Sequence, residues 1–528
     1  MQRKTKFLLN GSLIALTSLL LRLTGLGFSA YITLKLGAEG TGLISLVNTV
    51  YGFGITVAVS GIYLACMRLC SHAIGTHNAA GLQIAMQKSF IYAAFFGFSA
   101  MFTLYTLANF AGTSFLGDER TVASIRVLSF ALPSISLATV TDAYFAAVGR
   151  VHNSAISDIA EQTFKVVCSM VLLKAALPFG LEACVLAVTK GSCIGEIGSF
   201  GISALLYFRD RKKTTFAKNT KQNRDEKLLR IALPIAFSTY ARSGLVTIEH
   251  ALIPKGLQKY GAGKQDALSV YGIVRGMALP IVLFPASVLS AFTGLLIPEF
   301  AEDNAANSRQ AIDRKASLSM HTSGIFASMT TVILFAFGKE LGCAVYKNEN
   351  AGNYIRCFSV LIPFMYCDTT ADSILKGLDK QVYTMVVNIF DAAASVLMTW
   401  KVLPKTGIKG YIFTVFMTEI LNFTFSAGKL SQIVKLNFQP LQALVFPIAA
   451  TGVCSFISRQ ILLSVHVANP ILFSIFGIGA SLLLSLPLVA QFSFSHEFLT
   501  DTVEKIKSAL RPSKEKQRNP ARNSAAVQ

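Results

Sequence analysis

Charge is what this sequence has least of. Asp, Glu, Lys and Arg make up 14% of 528 residues, against about a quarter in soluble proteins. Acidic groups are scarcer still, 28 against 48 basic ones, which leaves a net charge of +20. A soluble chain of this length would fold as two or three charged-surface domains, and this composition excludes that. No GxxxxGK[ST] loop is present, which excludes a built-in nucleotide motor of that kind, and no HExxH pair marks a metallohydrolase. The nine cysteines are scattered through apolar text. Cys66 and Cys70 stand one helical turn apart, but no histidine or second pair completes a metal spacing, so they read as small buried hydrophobes. The apolar segments also lack the two-residue alternation of a membrane barrel.

What is present is a succession of apolar runs of about 20 residues, long enough to cross a hydrocarbon core of about 30 Å. Backbone groups in lipid must bond to one another, so these runs are helices. The reading is an all-α polytopic membrane protein with about fourteen transmembrane helices. The opening MQRKTKF and its long apolar run extend past a signal-peptide core, and read as the first helix. The positive charge does not indicate nucleic acid. Lys and Arg fall roughly two to one on the side of the N-terminus, which by the positive-inside rule makes both termini cytoplasmic, in a bacterial cytoplasmic membrane. The largest clusters, RDRKK at 209–213 and the tail KSALRPSKEKQR, then lie against anionic membrane lipids.

One stretch occurs twice. Residues 125–150, IRVLSFALPSISLATVTDAYFAAVGR, match 355–380 at a constant offset of 230. Ile125, Arg126, Ser129, Pro133, Thr139 and Asp142 fall on Ile355, Arg356, Ser359, Pro363, Thr369 and Asp372. An even number of crossings separates the copies, so they predict two parallel six-helix repeats. The expected organisation is an N-lobe of six helices over 1–208, a basic cytoplasmic linker over 209–228, and a C-lobe of six over 229–430. Two extra helices follow over 431–492. Residues 493–528 form an amphipathic helix and basic tail, with Phe498, Leu499, Val503, Ile506 and Leu510 on one stripe. LGAEGTG at 36–42 reads as a glycine-rich turn between the first two helices, and Arg275 with Pro280 and Pro285 predicts an interrupted helix.

Charges inside apolar helices mark sites or interior pairs. The cations singled out are Arg22, Arg68, Arg242 and Arg275, whose guanidinium forks suit phosphate oxygens. Their bland reading is pairing with a carboxylate or snorkelling to the interface. Asp142 and Asp372 read either as proton or cation sites or as anchors at helix ends beside Arg150 and Lys380. Lys190 and Glu196 should both face protein. Glu249 and His250, adjacent and about 100° apart on a helix, place one of the two toward the outer interface. Asp142, Asp372, Glu196 and Glu249 are the carboxylates available for coupling to H+ or Na+. No metal site and no cofactor are expected.

The first helix with its internal arginine, LGAEGTGL, ISLVNTVYGFGITVAVSGIYLACMRL and IRVLSFALP resemble the polysaccharide-exporter branch of the multidrug/oligosaccharidyl-lipid/polysaccharide flippase superfamily, on the side of its stage V sporulation and lipid II flippase members. The resemblance covers essentially the whole chain. It implies two lobes around a central cleft, and alternating-access flipping of an undecaprenyl-pyrophosphate-linked glycan in cell-wall or spore-cortex biogenesis, alongside cell-wall synthesis proteins. It also implies cleft arginines on helices one, two and eight, where Arg22, Arg68 and Arg275 stand, and a lipid-tail groove formed by the two extra helices. The family's aspartate before the helix-eight arginine is Val274 here. Two alternatives stand beside this reading: a cation-coupled multidrug exporter of the same superfamily, and a membrane glycan polymerase or scaffold. Loss of Arg22 or Arg275 is expected to abolish flipping under the first reading.

Overall fold

The computed structural model describes residues 2–76, 78–211, 228–467 and 469–493. Most of the basic linker and nearly all of the expected C-terminal amphipathic helix and tail lie outside these. Every described element is helical. In chain order they are α1 (Gln2–Val59), α2 (Ile62–Gly75), α3 (Ala79–Thr106), α4 (Val122–Ser129), α5 (Leu132–Val148), α6 (Val151–Ala176) and α7 (Leu181–Arg211). Then come α8 (Leu228–Tyr260), α9 (Lys264–Tyr271), α10 (Leu279–Leu283), α11 (Ala286–Ala305), α12 (Arg309–Tyr346), α13 (Glu349–Ser359) and α14 (Ile362–Gly377). α15 (Gln381–Thr406), α16 (Ile408–Ile433), α17 (Phe446–Ser464) and α18 (Pro470–Ser493) close the chain.

The expected turn at 36–42 is a single residue. α1 stays helical on both sides of Gly37, whose φ of 70° no β-carbon would favour. In a straight helix Thr33 and Thr41 would be about 12 Å apart, yet their hydroxyls hydrogen-bond at 3.1 Å. The chain therefore folds back at Gly37 into two arms. A second break, unforeseen in the sequence, falls at Ser60–Gly61, both with positive φ. The Tyr92 hydroxyl donates to the Ser60 carbonyl freed there, at 3.0 Å.

Among the described residues, nine helical segments are long and apolar enough to cross a membrane, ten if the bent pair α4–α5 is one span. That is fewer than the fourteen expected, for two reasons. The two arms around Gly37 run into α2 and count once. α8, α13–α14 and α16 fall outside the tally: they carry Arg242, Glu249 and His250, Asp368 and Asp372, and Glu419, so part of each helix is polar.

The repeat is visible in local structure. α5 and α14 start 230 residues apart, as do α3 and α12, and α6 and α15. Pro133 and Pro363 both sit in the first turn of their helix, after a break. There a proline costs no hydrogen bond, because first-turn N–H groups have no helical acceptor. Just before each break Ser129 donates to the Arg126 carbonyl and Ser359 to the Arg356 carbonyl, both at 2.7 Å. Arg126 lies over the Tyr105 ring and Arg356 over Phe335. The packing partners repeat as well: α3 with α5, α5 with α7 and α6 with α7 correspond to α12 with α14, α14 with α16 and α15 with α16.

The expected interruption after Tyr271 is a π-helical turn, Gly272–Ala278, containing Arg275, followed by α10 and a further break before α11. Three cores result. One joins the halves, with Leu43, Leu46 and Val47 against Tyr271, Val274 and Met277. One lies among α2, α3, α5 and α7, around Ile62, Tyr144 and Tyr207. The third is centred on Phe300, Ile374 and Leu375. α17 and α18 pack on α12, where Arg459 bridges Glu340 at 2.7 Å and Phe473 meets the Phe337 ring.

Candidate functional site

The break at Gly272 brings the two halves into backbone contact. A β-carbon on Gly272 would collide with the Ala38 carbonyl and the Gly42 backbone, and one on Gly42 with the Leu268 carbonyl. Ions surround this contact. Arg120 donates to both Asp118 oxygens at 2.9 and 2.7 Å and to Glu39 at 2.7 Å. Lys264 lies 3.8 Å from Asp118, and Lys255 donates to the Ser114 carbonyl at 2.7 Å. Burial alone would push the Asp118 carboxyl up, but the hydrogen bonds and charge of Arg120, with Lys264 behind, hold it below the ordinary carboxylate range. The Arg120 guanidinium is correspondingly raised, first by its bond to Asp118. This end of the bundle is closed.

Beneath the contact lies a cavity of about 680 Å³ between the halves. Ser45, Asn48 and Thr49 of α1 line one wall, Arg242, Ser243 and His250 of α8 another, and Tyr271, Arg275 and Pro280 the third. Thr49 bonds the His250 ring at 3.0 Å and Thr56 the Ser243 hydroxyl at 3.1 Å. The hydroxyls come from helix positions where Ser and Thr also bond their own backbone four residues back, as Ser45, Thr49 and Thr247 do. Two guanidinium groups among hydroxyls and an amide can hold a polyoxyanion with several acceptor oxygens.

Of the four arginines singled out, two are in this cavity and two are not. Arg242 and Arg275 line it, on different elements of the second half. Arg22 is exposed on the first arm of α1, and Arg68 is exposed on α2. Glu249 and His250 were expected to divide between interior and interface, and instead both are inside. His250 is buried against Thr49, and Glu249 is half-buried on the side of Ser395 and Arg275. α8 turns its exposed side at Ile248, about 100° from Glu249, so Glu249 and His250 both fall on the packed side.

Behind the arginines is a set of carboxylates that sequence reasoning missed. Asp391 of α15 and Glu419 of α16 lie within reach of Arg242 and Glu249, and Asp368 of α14 adjoins Glu419. Asp368 accepts from Asn422 at 3.2 Å, and one oxygen each of Asp368 and Asp391 is buried without a hydrogen-bond partner among the described residues. The rule that marked Arg22 applies equally to NIFDAAAS and FMTEILNF. The first half has a parallel set: Asp142, Asp158, Glu161 and Glu196, with Lys165. Lys190 was expected to face protein but is exposed. Its neighbour Gly191 packs on Ser169 of α6, which turns Lys190 about 100° away.

Asp142 and Asp372 do not anchor beside Arg150 and Lys380. Arg150 pairs with Asp210 at the end of α7, because α5 stops at Val148 and Gly149 turns the chain toward that helix. Asp372 accepts from Asn388 and Ser426 at 3.3 Å each and lies 3.6 Å from Lys376. Among the described residues no three His, Cys, Asp or Glu side chains converge to hold a metal ion.

Comparison with known proteins agrees with this architecture. The profile of the family described as polysaccharide biosynthesis protein matches residues 7–304, and that of MatE matches 258–400. Stage V sporulation protein B of Bacillus subtilis (strain 168) is 21% identical over 465 residues, spanning 86% of this chain and 89% of the relative. Lipid II flippase MurJ of the same organism is 22% identical over 417 residues, 72% of this chain and 74% of its own. A solved lipid II flippase MurJ in an inward closed conformation superposes with a TM-score of 0.67 at 10% identity, over 92% of this chain and 99% of that one. The chain belongs to the polysaccharide biosynthesis protein family and, with it, to the multidrug/oligosaccharidyl-lipid/polysaccharide flippase superfamily, as an all-α, multi-pass membrane transporter rather than an enzyme.

Proposed function

We propose that the protein flips a prenyl-pyrophosphate-linked glycan, a peptidoglycan precursor or related oligosaccharide, across the bacterial cytoplasmic membrane by alternating access. The observation that carries the reading is the cavity between the halves, where Arg242 and Arg275 stand among Ser45, Asn48, Thr49 and Ser243. A pyrophosphate brings negative charge and many acceptor oxygens to two guanidinium forks. The sugar hydroxyls find the Ser, Thr and Asn side chains, and the prenyl tail stays in lipid, with α17 and α18 offering it a groove. In this reading fourteen helical arms cross the membrane with both termini cytoplasmic, and the Asp118 end faces outward. The cavity then stands on the cytoplasmic side of a closed outer end. Arg22 and Arg68 lie on the approach to it rather than at the headgroup.

Asp391, Glu419 and Glu249 are close enough to the arginines, and Asp368 to Asp391 and Glu419, to link headgroup binding to uptake of H+ or Na+ by the carboxylates. Asp142, Glu196 and Asp372 are the further coupling candidates. The same carboxylates favour a second reading, a cation-coupled multidrug exporter, which the MatE match over 258–400 also supports. Proteoliposomes separate the two. Under the first reading, wild-type protein translocates a lipid pyrophosphate-linked sugar, and Arg242→Ala and Arg275→Ala each reduce the rate at least tenfold at equal insertion. That follows from about 1.5–3 kcal/mol for a hydrogen bond to a charged group. Transport of lipophilic cations with no flipping of the lipid-linked sugar would establish the exporter instead.

A further inference from the structure

Away from the cavity, three sulfur atoms meet in the core of the first half. Cys66 and Cys70 present their thiols from the same face of α2, and Met86 of α3 reaches between them. The Sγ atoms of Cys66 and Cys70 are 3.8 Å apart, and the Met86 Sδ lies 3.9 Å from Cys66 and 3.5 Å from Cys70. All three residues are at most 2% exposed. We propose that Cys66, Cys70 and Met86 form a three-sulfur site for a soft monovalent metal ion, Cu(I) or its analogue Ag(I).

The triangle has the size such an ion needs. Its centre is about 2.2 Å from each sulfur, close to a metal–thiolate bond of about 2.3 Å. The donor set selects the ion. Two thiols and a thioether are soft ligands that suit a monovalent ion in a three-coordinate site, whereas structural zinc, which also takes thiolates, asks for four donors in a tetrahedron and only three converge here. The surroundings suit a small charge that is neutralised on the spot. The three sulfurs lie in the buried core that also holds Ile62, Tyr144 and Phe145, and the Ser89 hydroxyl, wholly buried and without a hydrogen-bond partner among the described residues, adjoins Cys66. On binding, one thiol loses its proton to solvent and the metal–sulfur bond takes its place, so the ion and thiolate are neutral together. The Ser89 hydroxyl is placed to donate to that thiolate. Entry is provided by a cavity of about 270 Å³ lined by Met86, Gln83, Gln87, Tyr207 and Arg211. A bound ion would pin α2 to α3 within the half that must move as a body during alternating access.

The test uses purified full-length protein in detergent under anaerobic, reducing conditions, titrated with Cu(I) against a chromogenic Cu(I) chelator. One ion per chain is expected to resist the chelator, with X-ray absorption giving three sulfur neighbours at about 2.3 Å. Cys66→Ser and Cys70→Ser should each weaken binding about 100-fold, and the near-isosteric Met86→Leu about tenfold, whereas Cys454→Ser, on α17, should leave it unchanged. Retained affinity in Cys66→Ser and Met86→Leu overturns the site, as does a wild-type spectrum with nitrogen or oxygen neighbours. Because the spectrum is read on wild-type protein, misfolding of a variant does not blur the outcome.

Discussion

Arg242 and Arg275 show how far a single residue type can be read from sequence. An arginine in an apolar run is conspicuous because burying its charge is costly, and that argument selected four residues. Burial cost does not say which way a side chain faces, and only two of the four reach the cavity. The carboxylates Asp391 and Glu419 met the same criterion and passed unnoticed, since nothing linear connects residues on α8, α15 and α16. Glycine is informative in another way. Gly272 is unremarkable in the text and Gly42 was legible only as part of a glycine-rich turn, yet each stands where any side chain would strike backbone across the halves. Gly272→Ala should therefore disfavour the closed end and shift the resting population toward the opposite conformation. A single cysteine placed on Leu268, which is buried in the closed end, in a background without native cysteines, should react several-fold faster with a thiol reagent in that variant. Unchanged reactivity would mean that the contact yields without cost.

Among the elements, the repeat unit was legible because its signals are local: a proline in the first turn, a serine four positions before it, an arginine before that, each with a fixed partner. The turn at Gly37 was legible as glycine-rich text but not as a one-residue reversal. The loop before α4 holds the ion group that ties it to α9, and its strength depends on pH. Asp118 is held below its unfolded value, which is about 3.9. Its contribution is thus full above that pH and is lost as pH falls through the lower folded value. Arg120→Ala leaves the Asp118 carboxylate, only 5% exposed, with Lys264 alone, and should cost about 1–3 kcal/mol. Melting in detergent at pH 7 should show the loss, and the gap between variant and wild type should narrow as pH falls below the unfolded value and close once the folded Asp118 carboxyl is protonated. A gap that persists there would assign the effect to packing rather than to charge.

At the scale of the whole molecule, the charge bias across loops predicts orientation. Single cysteines at positions 213 and 514, in the basic segments outside the described residues, should resist an impermeant thiol reagent in intact cells and react after lysis. Labelling from outside at either position would overturn cytoplasmic termini. Composition settled by itself that the chain is helical and membrane-embedded, because lipid leaves the backbone few alternatives and because scarce charge forbids a soluble surface. The 230-residue offset revealed an internal repeat, since duplicated helix starts keep duplicated local chemistry. Tertiary structure alone decided which charges share a cavity and which end is closed. It also decided that Met86 completes a sulfur triangle with a cysteine pair that looked inert. Those outcomes depend on how helices rotate and cross, and rotation is fixed by glycine contacts and side-chain packing between segments hundreds of residues apart.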